Sequence, residues 1–241
     1  MVGEFLEFSV ATRPLAASFE FYRALGFSSL PAGDTLPDPY LALFDGSIVI
    51  GLHERDQDGT WLTFVRPGLR DYVRALRRTG VELHYAHLAE DEFHRLGFHD
   101  PSGQGVALLE ARTFAPGVKD PSAVPPCGSF VEYCLPVAEL GVSGGYWRSL
   151  GFTPVASGEA PHRWLRLEGH GLAIGLHEAH LRPALRYRAA QLSARLDYLR
   201  AKGVDVRMGC PLAAPGQLAA TLSAPDGLCF YLLEDEETKQ R

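Results

Sequence analysis

Two stretches of this 241-residue chain repeat one another and limit what it can fold into. Residues 5–27 read FLEFSVATRPLAASFEFYRALGF and residues 130–152 read FVEYCLPVAELGVSGGYWRSLGF. They align without a gap over 23 positions at an offset of 125, with eight identities: Phe5/Phe130, Glu7/Glu132, Leu15/Leu140, Ser18/Ser143, Arg23/Arg148, Leu25/Leu150, Gly26/Gly151 and Phe27/Phe152. Each stretch has the pattern of a strand, a turn, an amphipathic helix and a glycine stop. In the first, Leu6, Phe8 and Val10 alternate with Phe5, Glu7 and Ser9, as in a half-buried strand. Pro14 then opens a helix with Leu15, Phe19 and Tyr22 on one stripe, and Gly26 ends it. Strands over 27–31, 40–44 and 47–54 follow, the last two joined at Asp45-Gly46, a tight hairpin signal, so the unit reads βαβββ.

The pattern restarts within each half. A strand at Trp61–Val65, a helical stripe of Leu69, Tyr72, Val73 and Leu76, and strands around Val81–Tyr85, His94–His99 and Val106–Glu110 give a second unit. A third runs from Phe130 to about His180, and a fourth from about Leu185 to Glu234. Ile50-Gly51-Leu52-His53-Glu54 recurs as Ile174-Gly175-Leu176-His177-Glu178. Leu15/Gly26, Leu69/Gly80, Leu140/Gly151 and Leu192/Gly203 all lie 11 apart, one pair in each unit. One such pair would carry nothing; four in register point to duplication followed by duplication. The expected organisation is therefore an N-terminal domain over 1–112, a Pro/Gly-rich linker over 113–128 and a C-terminal domain over 129–241, in an α+β fold.

Composition narrows the function. The formal net charge of -6 argues against a nucleic-acid-binding surface. No apolar run approaches the ~18 residues a membrane helix needs, and the N-terminus lacks the basic and apolar segments of a signal peptide. Cys127, Cys134, Cys210 and Cys229 form no C-x-x-C pair, and are expected to be free, largely buried thiols of a cytoplasmic protein. Phosphate-loop, dinucleotide and G-x-S-x-G motifs are all missing from the sequence.

The segments Ser18-x-x-Phe21-Tyr22-Arg23-x-Leu25-Gly26-Phe27 and Asp100-Pro101-Ser102-Gly103…Leu109-Glu110 resemble the vicinal oxygen chelate superfamily, which includes glyoxalase I, bleomycin- and fosfomycin-resistance proteins and extradiol dioxygenases. The resemblance covers all four units. It implies four βαβββ modules paired into two cup-shaped, glyoxalase-like domains. It also implies ligand or metal chemistry inside the cups, with Zn²⁺, Ni²⁺, Mn²⁺ or Fe²⁺ as the candidate ions. The superfamily's last-strand carboxylate position falls on Glu54, Glu110, Glu178 and Glu234. Its first-strand ligand position falls on Phe5 and Phe130, with Glu7 and Glu132 two residues further along. The His-His-Glu triad of the dioxygenases is missing from both halves.

On this pattern Glu7, Glu110, Glu132 and Glu234 are the candidate catalytic and metal-ligating residues. Glu7, Glu110 and Glu54 would converge in one cup, and Glu132, Glu234 and Glu178 in the other. Crowded carboxylates bind a cation or raise one another's pKa, which suits proton abstraction beside a carbonyl. Alternatively, the strand-end residues Glu54, Glu110, Glu178 and Glu234 are solvated or arginine-paired, whereas Glu7 and Glu132 sit mid-strand, where an unpaired carboxylate is costly. Strand alternation lets only one member of His53-Glu54 and of His177-Glu178 face a cup, and the glutamates are expected there. His84 and His87 are read as loop residues, as are His162, His170 and His180. Phe5, Trp61, Phe130 and Trp164 could line an apolar pocket or simply fill the core. Two functions follow: a protein that binds a small molecule in one or both cups without metal, or a divalent-metal-dependent lyase or transferase of the glyoxalase type. Ring-cleaving dioxygenase activity is a weaker third. The expected partner is a small molecule, with neither nucleic acid nor membrane, and the chain is expected to be a monomer with pseudo-dimeric halves or a homodimer.

Overall fold

A computed structural model of the chain describes residues 1–31, 39–55, 59–78, 80–111 and 124–235. The first unit consists of β1 (Glu4–Ala11), α1 (Leu15–Ala24), β2 (Ser28–Ser29), β3 (Tyr40–Phe44) and β4 (Val49–His53). The second consists of β5 (Thr60–Arg66), α2 (Leu69–Arg78), β6 (Leu83–His87), β7 (Arg95–His99) and β8 (Gly105–Glu110). The third consists of β9 (Ser129–Pro136), α3 (Leu140–Ser149), β10 (Thr153–Gly158), β11 (Trp164–Gly169) and β12 (Leu172–His177). The fourth consists of β13 (Ala184–Ala189), α4 (Leu192–Ala201), β14 (Arg207–Met208), β15 (Ala219–Ser223) and β16 (Cys229–Glu234). The four βαβββ units expected from the sequence are all present. Most of the expected linker lies outside the described residues.

The helix stops share one mechanism. Gly26, Gly80, Gly151 and Gly203 all take positive φ, which a side chain would strain. The following residue then bonds back into the helix at each site: Phe27 to Tyr22, Val81 to Leu76, Phe152 to Trp147 and Val204 to Leu199. This is the Schellman closure, and it turns the chain sharply into the next strand.

The units pair into two eight-stranded sheets of matching order, β2-β3-β4-β1-β5-β8-β7-β6 and β10-β11-β12-β9-β13-β16-β15-β14. In each sheet the two first strands lie side by side and antiparallel, and each also pairs in parallel with the last strand of its own unit. One face of each sheet is apolar: Phe8, Ile50, Leu52, Leu62, Phe64 and Leu108 in one, Tyr133, Ile174, Leu176, Leu185, Tyr187 and Leu232 in the other. These faces and the helices merge into a single hydrophobic core that runs through both halves. Phe8 packs on Tyr133 and Phe130 across the junction, and Phe64 packs on Phe152.

Hydrogen bonds pin the junction. Trp147 on α3 donates to Asp100 in the β7–β8 turn at 3.1 Å, and Tyr22, its counterpart on α1, donates to Asp226 in the β15–β16 turn at 3.0 Å. Tyr187 donates to Asp45 at 2.6 Å and Tyr133 to Gln104 at 3.1 Å. The Asp-Pro-Ser-Gly turn thus clamps the halves together: Asp100 also accepts the N–H groups of Ser102 and Gln104.

Both first strands carry a bulge. The β1–β5 register shifts between Phe5 and Glu7, and the β9–β13 register shifts at the matching place, between Phe130 and Glu132. The extra residue turns Phe5 and Phe130 off the face that Glu7 and Glu132 occupy. Phe5 stacks edge-on against Phe8 and Phe64, and Phe130 packs on Phe8 and Tyr187. Both phenylalanines therefore belong to the core rather than to a ligand pocket, correcting the strict alternation expected for them. The four cysteines are free, with Cys127, Cys134 and Cys229 buried. Among the described residues, no helix is long and apolar enough to cross a membrane.

Candidate functional site

The concave faces of the two sheets carry the polar residues. In the N-terminal cup, Glu7 and Ser9 on β1, Tyr40 on β3, His53 on β4 and Thr63 on β5 line one cavity of about 450 Å³. Glu7 is 3% exposed. Its Oε1 accepts the Ser9 hydroxyl at 2.7 Å and lies 3.0 Å from His53 Nε2, and its Oε2 accepts the Tyr40 hydroxyl. Ser9 and Thr63 share a further hydrogen bond at 2.6 Å. Burial alone would raise the Glu7 pKa, but His53, Ser9 and Tyr40 overcome it and hold the carboxyl below its ordinary range. Tyr40, buried against that carboxylate, is pushed far up and keeps its proton. A carboxylate so saturated with donors is a weak base and a fixed negative acceptor.

Gly51 on β4 makes room for this arrangement, because a Cβ there would lie only 2.3 Å from the Glu7 carboxylate. The recurring Gly-x-His on β4 and β12 is thus a carboxylate socket followed by its imidazole partner. Sequence reasoning passed over it by assigning Glu54 and Glu178 to the cups. The structure reverses that choice. Glu178 accepts the Leu140 N–H at the start of α3 and the Arg163 guanidinium, while His177 faces the cup. Gly51 pairs with Ser9, so the residue two positions on, His53, shares the Glu7 face and Glu54 does not.

The rim is aromatic and cationic. Tyr85, His87, Glu92, Phe93 and Arg95 stand over the cavity with Arg55, and Phe93 is 60% exposed. The cavity continues past Thr63 and Ala107 to Trp61 and His84. Trp61 lies over Gly105, where a Cβ would come within 2.5 Å of the indole. Its ring is 5.9 Å from Tyr85 and 5.1 Å from His99. Burial pushes the Tyr85 hydroxyl up while Arg95 and Arg55 pull it back. Trp61 thus lines this continuation of the cavity. His84 and His87 lie on β6, not in a loop, and His87 pairs with Glu92 at 3.3 Å.

Glu110 and Glu234 do not join Glu7 and Glu132. On β8, Ala107 and Leu109 line the cavity, so Glu110 falls on the opposite face with Leu108. There Glu110 accepts the Gly68 N–H at the start of α2 at 3.0 Å and pairs with His94 at 2.6 Å. Glu234 ends β16 on the side of the core residue Leu232. The expected convergence of last-strand and first-strand glutamates is therefore corrected. The last strand of each sheet's second unit presents its odd-numbered residues to the cup in β8 and in β16, and the glutamates are even-numbered.

The C-terminal cup repeats the carboxylate and replaces its surroundings. Glu132, 1% exposed, lies 3.7 Å from His177 Nε2, and Arg186 donates to its Oε1 at 2.8 Å. Arg166 Nε lies 3.9 Å from Oε2. Burial works against the charge, but His177 and Arg186 prevail and hold the carboxyl at about 2. Cys134, on the same face, is driven up by burial and by Glu132. Glu132, Cys134 and His177 place one donor atom each within 4.8 Å of one another, close enough to share a metal ion. His162 Nε2 lies 2.9 Å from His177 Nδ1. Ala184, Leu212, Ala219, Tyr231 and Leu233 pack into a second apolar cluster with Cys134 and Cys229. Trp164, the counterpart of Tyr40, pairs with His177 across the strands, and its indole donates to Ala160 at 3.2 Å.

No protein-family model and no curated protein matches the sequence. Solved structures do match. A catechol 2,3-dioxygenase is 17% identical, covering 97% of this chain and 93% of that one at a TM-score of 0.58. The 2,3-dioxygenase LapB from Pseudomonas sp. KL28 is 15% identical over 98% and 94%, with a TM-score of 0.64. An Mn(II)-bound glyoxalase from Novosphingobium aromaticivorans is 15% identical over 97% and 82%, with a TM-score of 0.60. At these identities the likeness is one of fold, and it extends over nearly the whole chain.

Proposed function

For a chain with the two-domain fold of the vicinal oxygen chelate superfamily, we propose that the N-terminal cup binds a small, flat, anionic molecule and that it does so without a metal ion. The observation that carries this reading is the composition of one cavity: an ionised, donor-saturated Glu7 on its floor, Trp61, Tyr85 and Phe93 on its walls, and Arg95 with Arg55 at its rim. Pockets for small ligands combine apolar walls with a few fixed polar groups in this way. The aromatic rings suit a planar body, and the guanidinium groups suit a carboxylate or sulfonate. Glu7, Tyr40 and Thr63 would meet an uncharged hydrogen-bonding group at the end of the molecule away from the guanidinium groups. Low basicity of Glu7 favours binding over proton abstraction, because a general base works best with a pKa near the working pH.

Metal chemistry is the second reading, and the structure's donors bear on it directly. In the N-terminal cup, Glu7 and His53 are joined by the hydroxyls of Ser9, Tyr40 and Thr63, a poor set for a divalent transition metal. In the C-terminal cup, Glu132, Cys134 and His177 suit Zn²⁺, but Arg186 is bonded to the carboxylate that would have to ligate. Neither donor set supports a lyase, transferase or dioxygenase step. A monomer, whose halves cover one another, is the assembly that goes with this reading.

The test uses 8-anilinonaphthalene-1-sulfonate, an anionic aromatic probe, with the full chain in the presence of a chelator. Stoichiometric fluorescence enhancement is expected. Arg95→Glu should weaken it at least about tenfold, and Phe93→Ala by a smaller factor, because each removes one complementary feature of the rim. Tyr198→Ala, in a separate groove between α1 and α4, should leave it unchanged. Binding equal to the native chain in both rim variants would overturn the proposal.

A further inference from the structure

The two cups inherit the same buried glutamate and neutralise it differently. Opposite Glu7 in the register stands Thr63, and opposite Glu132 stands Arg186. Opposite Gly51 stands Ala42, and opposite Gly175 stands Arg166. Two guanidinium groups thus enter the C-terminal cup at positions where the N-terminal cup has a hydroxyl and a methyl group.

What they enter has the build of a cation site. Glu132 and Cys134 project from β9 and His177 from the neighbouring β12, with donor atoms within 4.8 Å of one another. Gly175 leaves the space between them open: a Cβ there would lie 2.7 Å from the Glu132 carboxyl carbon and 2.8 Å from His177 Nε2. The set is also incompletely satisfied. Glu132 Oε2 and His177 Nε2 are buried without a hydrogen-bond partner, as are the Nε atoms of Arg166 and Arg186. Buried polar atoms are rarely left so. Arg186 is bonded to Oε1, while Arg166 stands 3.9 Å from Oε2 and is itself paired with Glu168 at 2.8 Å; neither guanidinium gathers all three donors, as a central ion would.

We infer that Arg186 stands in the place of a metal ion in the C-terminal cup: Glu132, Cys134 and His177 form a three-donor site that this guanidinium keeps closed, and replacing Arg186 by a neutral residue opens it to a soft divalent ion. A carboxylate, a thiol and an imidazole select Zn²⁺ or Co²⁺ over hard cations. Binding would deprotonate the thiol: a sulfur–metal bond forms, the S–H bond breaks, and the proton leaves to solvent. With Arg186 in position, an incoming dication meets a fixed positive charge a few ångströms away in a poorly solvated site, and the two repel. This site lies wholly in the C-terminal cup and is independent of what the N-terminal cup binds.

The experiment is a Co²⁺ titration of the 241-residue chain, followed by the thiolate-to-cobalt charge-transfer absorption and by equilibrium dialysis. The native chain should show no charge-transfer band. Arg186→Thr, which installs the residue of the other cup, should bind about one equivalent at least about tenfold more tightly than the native chain. Its band should vanish in Arg186→Thr/Cys134→Ser, which separates this site from the other cysteines and histidines. Arg186→Lys, which keeps the charge, should behave as the native chain. Should Arg186→Thr unfold without metal, Co²⁺ must restore its thermal transition in a Cys134-dependent manner, since an ion bound only by the folded state stabilises it. A charge-transfer band in the native chain that Cys134→Ser removes would overturn the inference. So would an Arg186→Thr chain that neither binds Co²⁺ better than the native chain nor is stabilised by it.

Discussion

Glu7 Oε1 and His53 Nε2 lie 3.0 Å apart on neighbouring parallel strands, and the space in which they meet exists because residue 51 is glycine. Replacing Gly51 by alanine would drive a methyl group into the carboxylate. The expected cost is about 1–3 kcal/mol, the range for overpacking a filled interior. Because the expelled Glu7 would disturb the cavity floor, probe binding should fall as well. Urea denaturation and the fluorescence titration check both effects. Unchanged stability with unchanged binding would mean that the socket has no role.

Acid should expose the Glu132 pair. The carboxyl is held at about 2 against an ordinary 4.5, so the unfolded chain binds the proton more readily than the folded one. Stability from this group is fully present above about pH 4.5 and is lost as pH falls toward 2. The difference corresponds to on the order of 3 kcal/mol. Glu7 acts in the same direction, because its pKa too is lowered. Glu132→Gln should flatten the dependence of denaturation free energy on pH between about 5 and 2, though it lowers stability at neutral pH by leaving Arg186 unpaired. An equally steep acid limb in the variant would show that the pair contributes nothing to it.

Glu110 and Glu7 should separate cleanly under mutation. Glu110→Ala removes an acceptor from the start of α2 and should cost about 1 kcal/mol, the usual scale for a lost helix cap. It should leave probe binding in the N-terminal cup as in the native chain. A marked loss of binding in a folded Glu110→Ala chain would return this glutamate to the site.

The core that runs through both halves predicts that they unfold together. A single transition by near-ultraviolet and far-ultraviolet circular dichroism is expected. Tyr22→Phe, which deletes the 3.0 Å bond to Asp226, should lower stability by about 1–3 kcal/mol without splitting the transition. Two resolved transitions in the native chain would mean that the junction is weaker than its packing implies.

The duplication was legible in the sequence because helix stops, hairpin turns and hydrophobic periods are local. Each is set by a few neighbouring residues, such as Gly26 and its three counterparts, and neither depends on distant parts of the chain. The direction of a side chain across a sheet is another matter. Along an ideal strand, Phe5 shares a face with Glu7, and only the bulge formed when β1 pairs with β5 separates them. The choice between His53 and Glu54 likewise depends on which face Ser9 and Gly51 share once β1 and β4 align.

Local patterns in the chain determine four βαβββ units, their order, their breaks and a mid-strand glutamate repeated at Glu7 and Glu132. The tertiary structure alone decided what each glutamate faces. Strand pairing brings residues 46 to 54 positions apart into one cup, where the N-terminal carboxylate meets hydroxyls and an imidazole, and the C-terminal one meets Arg186. A one-residue change of register reverses every side chain on a strand. The chemistry of each cup is therefore written in pairings that no single stretch of sequence contains.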